Sequence, residues 1–130
     1  MAKIFFDAAT KGNPGVSAGA VIIITEKERI IETTSLGYLD NHSAEWATFV
    51  YALELAKYHD VRNALIFTDS KLIEDTMNSR ELNNQKFQSY YLKVKQLATS
   101  FDLLFVKWEP RKKNKEANHH AQQALYQLTK

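Results

Sequence analysis

The chain has 130 residues, a hydrophobic content of 45%, a charged content of 25% and a formal net charge of +2. This length predicts a single domain over residues 1–130 with a sizeable core and leaves no room for a second domain. The composition is that of an ordinary globular protein and excludes the disordered and fibrous classes.

Three absences narrow the candidate chemistry and location further. The chain has no cysteine, which excludes disulfides, thiolate metal sites and cysteine nucleophiles. Its longest apolar run, residues 18–24, is far shorter than the roughly 20 residues of a membrane helix. The N-terminus has no signal-like apolar block. We therefore expect a cytoplasmic protein with no membrane partner.

The first half of the chain predicts three strands and a helix. Three apolar, β-branched segments separated by polar turns are typical of an antiparallel meander. After a loop at 37–42, apolar residues at helical spacing predict a well-buried helix, capped by Ser43 or Asn41. The predicted elements are a strand and turn over Lys3–Gly15, strands Ala18–Thr25 and Ile30–Leu36, and a helix over Ala44–Tyr58.

The second half alternates strands with helices, which is typical of parallel strands in an α/β fold. The predicted element order is βββαβααβα, a mixed sheet flanked by helices. The predicted elements are strand Ala64–Thr68, a short helix from Lys71 to about Met77, a helix from Phe87 to about Thr99, strand Leu103–Trp108, and a terminal helix opening near Asn114.

Three carboxylates are the first candidates for chemistry. Asp7 lies within the first strand, Asp69 ends a parallel strand, and Glu45 lies in the first turn of the predicted helix. A right-handed crossover places the two strands side by side, so the acids converge at one sheet edge. Like charges about 4 Å apart repel by roughly 4 kcal/mol at an effective dielectric near 20. Such oxygen ligands suit Mg²⁺ or Mn²⁺.

Each of these residues also has a purely structural interpretation. Glu45 is equally consistent with a helix-dipole role, and Asp69 with Ser70 can form a helix cap. Residues 12–15 can be no more than a turn. Asp7 is the hardest to explain structurally, because strand interiors disfavour Asp. The excess of Lys and Arg from Lys107 onward suits either a polyanion or a solvated loop.

Four motifs, in order and spacing, resemble the type 1 ribonuclease H family over essentially the whole chain. They are DAATKGNPG at 7–15, NHSAE at 41–45, FTDS at 67–70 and NKEAN at 114–118. The resemblance implies a five-stranded mixed sheet with flanking helices. It also implies cleavage of the RNA strand of RNA/DNA hybrids by two Mg²⁺ or Mn²⁺ ions that four carboxylates hold. Asp7, Glu45 and Asp69 are three of these residues, and Asn118 occupies the fourth position.

Three departures from the family pattern bear on activity. Asn118 offers one neutral carbonyl oxygen in place of a carboxylate, so we expect weaker cation binding at that end. The missing carboxylate is not replaced by Glu116, which lies on nearly the opposite helix face, nor by the adjacent histidines at 119 and 120. Residues 111–113 are Arg-Lys-Lys, where many members carry a histidine. The short link after the 71–77 helix has no room for the basic protrusion of some members, which predicts weaker hybrid binding or an altered length preference.

We expect a monomer that binds an RNA/DNA hybrid. The motif positions indicate six residues for contacts with this substrate. Gly12, Asn13 and Asn41 are the candidates for 2′-hydroxyl contacts across the minor groove. Ser70, Lys71 and Arg111 are candidates for phosphate contacts, although a solvated surface role suits the two cations as well. We weigh two alternatives: a catalytically weakened or inactive hybrid-binding module of the same fold, and a structural α/β domain whose acids are only caps.

Overall fold

A computed structural model describes all residues, 1–130, and contains one five-stranded sheet in the order β3-β2-β1-β4-β5. β1, β2 and β3 pair antiparallel, while β4 runs parallel to β1 and β5 runs parallel to β4. The predicted mixed sheet is confirmed. The strands are β1 Ala2–Gly12, β2 Gly15–Ile24, β3 Arg29–Leu39, β4 Asn63–Thr68 and β5 Leu103–Trp108.

Four α-helices flank the sheet, and two short 3₁₀ turns, Gln85–Phe87 and Arg111–Lys113, precede the third and fourth. The helices are α1 Asn41–Tyr58, α2 Lys71–Ser79, α3 Gln88–Ala98 and α4 Lys115–Thr129. The element order agrees with the predicted one. None of the helices combines the length and the apolarity that crossing a lipid bilayer requires.

The main core lies between the sheet and α1, with 19 buried residues that include Trp46 and Phe49. α1 packs directly on the backbone of β2, since a Cβ at Gly19 would lie 2.4 Å from Thr48 Oγ1. The other face has a smaller cluster, in which Ala121 and Leu125 of α4 pack on three alanines of β1 and β2. Small side chains on both partners let α4 approach the sheet closely.

The predicted cap of α1 was wrong. The helix begins at Asn41, and Asp40 is its N-cap. The Asp40 carboxylate accepts hydrogen bonds from both the backbone N–H and the hydroxyl of Ser43, each at 2.9 Å. An ionised carboxylate is a stronger acceptor than a hydroxyl or an amide at a helix N-terminus. The helix therefore starts three residues before the predicted Ala44.

Strand ends also differ from those predicted. β2 begins at Gly15 instead of Ala18, and β3 extends to Leu39 instead of Leu36. Pairing between β2 and β3 continues past a register shift between Ser17 and Ala18. Gly37, with φ +79, accommodates the irregularity because glycine adopts positive φ without steric cost.

Candidate active site

A cavity of about 770 Å³ opens where β1, the β1–β2 turn, the start of α1, the end of β4 and the segment after β5 meet. Its lining includes Asp7, Glu45 and Asp69. The three predicted carboxylates, which come from three separate elements, therefore face one space. Four other predicted site residues line the same cavity: Gly12, Asn13, Asn41 and Arg111.

Asp7 is held from the α4 side of the sheet. It is 6% exposed and lies opposite Ala20 of β2. The side-chain amide of Asn118 donates a hydrogen bond to Asp7 Oδ2 over 2.8 Å. Asn118 therefore lies beside Asp7, with its nitrogen and not its oxygen facing the carboxylate, and its role as the fourth metal ligand stays a prediction.

Crowding and burial alter the acidity of all three carboxylates. The pKa of Asp7 is raised to about 6 by burial and by the Asp69 charge, against the lowering effect of the Asn118 hydrogen bond. The pKa of Glu45 is raised to about 7 by burial and by the charges of Asp69 and Asp7, against the lowering effect of the Arg111 charge. The pKa of Asp69 is raised by burial, against the opposing effect of the Arg111 charge. The cavity thus favours either protonation of its carboxylates or a bound cation.

Glu45 lies beyond the first turn of α1, because the helix begins at Asn41. The first turn contains no acidic residue, so the helix-dipole interpretation of Glu45 loses its basis. His42, one turn earlier on the same face, places Nδ1 3.2 Å from Glu45 Oε1. The imidazole of His42 also lines the cavity, which makes it a neighbour that the sequence analysis missed.

The backbone around Asp69 is fixed by the end of β5. The indole N–H of Trp108 donates to the Asp69 carbonyl over 3.2 Å, and its backbone N–H donates to Glu74 Oε2 of α2 over 3.0 Å. Asn114, the residue before α4, lies close enough to lower the pKa of the Asp69 carboxylate. The end of β5 and the start of α4 therefore both support Asp69.

The donor chemistry of the cavity fits a hard divalent cation. Its acidic groups are all carboxylates, and beside Asp69 the buried Oδ1 of Asn114 has no hydrogen-bond partner. Oxygen atoms of this kind suit Mg²⁺ or Mn²⁺. As the side chains stand, no three acidic or histidine groups lie close enough together to hold an ion. Loading would thus require the carboxylates to draw together.

One wall of the cavity is a hydrogen-bonded junction between the β1–β2 turn and α1. Asn13 Oδ1 accepts from the backbone N–H of Asn41 over 2.9 Å, and the Thr10 hydroxyl donates to Asn41 Oδ1. The turn is tight, since a Cβ at Gly15 would lie 1.8 Å from the Lys11 carbonyl oxygen. This junction fixes Asn13 and Asn41, whose contacts with 2′-hydroxyls stay a prediction.

The predicted phosphate contacts are placed differently from one another. Arg111 lines the cavity. The Ser70 hydroxyl is buried and caps α2 by accepting from the Ile73 N–H over 3.2 Å, while the exposed Lys71 lies over the Trp108 ring, 5.0 Å from its centre. A phosphate contact from either residue stays a prediction.

Of the seven lining residues that the sequence analysis did not assign to the site, three carry large side chains with polar groups: His42, Trp108 and Gln122. Two of them carried a usable signal. His42 precedes Glu45 by three residues and Gln122 follows Asn118 by four, so each lies on the same helix face as a predicted site residue. Trp108 gave no such signal, because a tryptophan at the end of a strand is ordinarily core.

Comparison with known proteins places the chain in a family. The model of the reverse transcriptase-like family matches residues 5–124. EbsB of Enterococcus faecalis, named "Putative hydrolase EbsB", is 37% identical over 96% of this chain and 94% of its own length. Ribonuclease HI of Halobacterium salinarum is 27% identical over 93% of this chain, which spans 62% of that protein.

Solved structures agree with these sequence matches. The crystal structure of RNase H1 from Halobacterium salinarum superposes with a TM-score of 0.89 at 25% identity, covering 97% of this chain and 98% of that one. LC11-RNase H1, solved in complex with an RNA/DNA hybrid, shares the fold with a TM-score of 0.89 at 22% identity over all of both chains. The chain therefore belongs to the reverse transcriptase-like family and, within it, to the ribonuclease HI-like proteins.

Proposed function

We propose that the protein is a metal-dependent endonuclease that hydrolyses the RNA strand of RNA/DNA hybrids. One observation carries the proposal: three buried or half-buried carboxylates from separate elements face one cavity, where burial and, after it, their mutual charge raise the pKa of Asp7 and Glu45. A fold maintains such repulsion at a cost in stability, which a bound divalent cation relieves. Halobacterial ribonuclease HI and the hybrid complex of LC11-RNase H1 support the same substrate class.

In this proposal Asp7, Glu45 and Asp69 hold the metal, and Asn118 orients Asp7 through its hydrogen bond. When bound, divalent ions supply an activated water and neutralise charge on the leaving oxygen. Asn13 and Asn41 carry groups that both donate and accept hydrogen bonds, which a 2′-hydroxyl partner requires. Arg111 contributes a positive charge at the cavity rim that suits a phosphate.

A second candidate is a hybrid-binding module that has lost catalysis. The observation that favours it is the amide of Asn118, which already satisfies Asp7 Oδ2 by donating to it. This contact substitutes for part of what a cation would do. The groove residues Asn13 and Asn41 would then bind hybrids without turnover.

The test is cleavage of a hybrid with a labelled RNA strand, in Mg²⁺ and separately in Mn²⁺. We expect cuts within the RNA strand, and none in duplex DNA or duplex RNA. Asp69→Asn should reduce the rate by more than the roughly 10–100-fold that loss of an outer-shell partner costs. Asp75→Asn, the same change at an exposed position of α2, is the matched control and should cut like the parent.

The results separate the candidates. A parent protein that is inert in both metals, while its Asn118→Asp variant cuts, supports the hybrid-binding module. A protein that neither cuts nor binds hybrids, and takes up no Mg²⁺ by calorimetry, would exclude both candidates.

A further inference from the structure

On the face of the sheet that α4 covers, no helix lies over β4 and β5. The contacts of α4 with the sheet are to β1, β2 and β3. The same face of β4 and β5, with the adjoining part of β1, carries five apolar side chains. We call them the β4–β5 patch: Phe5, Leu65, Phe67, Leu103 and Phe105.

The strand register makes this patch continuous. Lys3, Leu65 and Phe105 form one row across the three strands, and Phe5, Phe67 and Lys107 form the next. Partners in a row project from the same face of the sheet. The Phe5 and Phe67 rings stack with centres 4.9 Å apart.

Side chains of the patch are partly exposed, whereas core side chains are covered. Phe105 is 51% exposed and Leu103 is 49% exposed. Phe67 is only 8% exposed, so most of the accessible apolar area of the patch belongs to Leu103 and Phe105, which lie side by side on β5. The other face of β5 is different, because Val106 points into the main core.

Two cations flank the patch. Lys3 and Lys107 are exposed and stand at diagonally opposite corners of the two rows. Strand spacing and rise place their Cα atoms about 12 Å apart. Neither lysine has a carboxylate within ion-pair distance, whereas Arg62 below the patch is neutralised by Asp102 at 3.1 Å.

A second copy of this chain suits the patch poorly. Two half-exposed side chains offer on the order of 200 Å², about a quarter of the roughly 800 Å² per partner in a stable interface. A two-fold contact would also set lysines against lysines.

A nucleic acid is also disfavoured as the occupant. It would find only two cations at the patch, Lys3 and Lys107, whereas binding to nucleic acid rests on several phosphate contacts.

We propose that the β4–β5 patch binds an extended acidic segment of a partner protein. Two carboxylates three or four residues apart span about 10–13 Å and match Lys3 and Lys107. Apolar side chains between them cover Leu103 and Phe105. This docking site does not depend on the proposed nuclease activity.

The test is fluorescence anisotropy with a labelled peptide, Gly-Asp-Leu-Phe-Leu-Asp-Gly. A control peptide of opposite charge is Gly-Lys-Leu-Phe-Leu-Lys-Gly. The parent protein should bind the Asp peptide about tenfold or more tightly than the Lys peptide. Lys3→Glu with Lys107→Glu should reverse this preference. Phe105→Ser should weaken binding of both peptides about tenfold. Lys57→Glu, an exposed lysine on α1, is the control and should change neither.

Three results would overturn the proposal. The first is no saturable binding, or binding that ignores the sign of the peptide charge. The second is a dimer in light scattering that Phe105→Ser dissolves, which assigns the patch to a second copy. The third is binding of a labelled single-stranded oligonucleotide that is lost in the double lysine variant. The lysine variants are surface changes, so the charge reversal stays interpretable even where Phe105→Ser does not fold.

Discussion

At the scale of single residues, the contact between Asn118 and Asp7 has the largest consequence. The amide donates to Asp7 Oδ2 over 2.8 Å and lowers the Asp7 pKa that burial raises. A carboxylate at position 118 would instead add a fourth negative charge beside Asp7. The amide therefore eases repulsion in the metal-free protein and weakens the attraction for cations.

Asn118→Asp should strengthen the binding of Mg²⁺ and raise hybrid cleavage at limiting metal, each by roughly tenfold, a gain equivalent to about 1.4 kcal/mol. The same change should lower the metal-free free energy of unfolding by about 1–3 kcal/mol, since a hydrogen bond becomes a like-charge contact. Calorimetric titration and denaturant melts measure the two effects.

Asn118→Ala is the matched variant, because it removes the hydrogen bond without adding charge. It should lose stability without gaining cation affinity. Equal Mg²⁺ affinity in Asn118→Asp and Asn118→Ala would contradict the electrostatic argument.

At the scale of elements, the start of α4 is joined to β1 by a buried side chain. Asn114, 4% exposed, donates from Nδ2 to the Phe6 carbonyl over 2.8 Å and makes no capping bond to its own helix. The sequence predicted only that a helix opens near this residue. The contact instead sets how α4, and with it Asn118, meets the carboxylates.

Asn114→Ala should lower the free energy of unfolding by about 1–3 kcal/mol, because the Phe6 carbonyl becomes a buried acceptor without a partner. Cleavage of hybrids should fall as well, since Asn118 and Asp69 both lose support. Chemical denaturation and initial rates measure this. Gln123→Ala, on the exposed face of α4, should stay within about 0.5 kcal/mol of the parent; an equal loss there would show that the effect is general to the helix.

At the scale of the whole molecule, the carboxylate cavity makes stability depend on pH in an unusual direction. The folded-state pKa values of Asp7 and Glu45, about 6 and about 7, lie above their ordinary values of 3.8 and 4.5. The folded state therefore holds more protons than the unfolded state between these limits. The free energy of unfolding falls as pH rises through this window.

Without divalent metal, we expect stability to decline from about pH 4 to pH 7 by on the order of 3 kcal/mol, or roughly 10 °C in Tm. Below pH 4 the trend reverses, because the folded-state pKa of Asp40 is lowered by Lys86 and Ser43. Saturating Mg²⁺ should flatten the decline. Thermal melts across pH measure all three effects.

A protein with both Asp7→Asn and Glu45→Gln is the control, and it should show little decline without metal. A decline of the same size in this variant would place the responsible groups elsewhere.

The sequence by itself determined the order of elements, the mixed sheet, and the acids Asp7, Glu45 and Asp69. Strand and helix periodicity are local properties, and the four motifs carry the family relationship. An acid within a strand is disfavoured wherever the strand lies, which is why Asp7 stood out as a candidate without coordinates. The predicted bounds of an element were less accurate where a capping residue sets its end, as Asp40 does for α1.

Only the tertiary structure decided which atoms meet in the cavity. Asn118 and Asp7 are 111 residues apart, Asn114 and Phe6 are 108 apart, and Trp108 and Asp69 are 39 apart. Hydrogen bonds over such separations depend on how helices pack on the sheet, and no local pattern encodes their direction. The same reason explains the β4–β5 patch, which exists because α4 covers three strands of the sheet and leaves two uncovered.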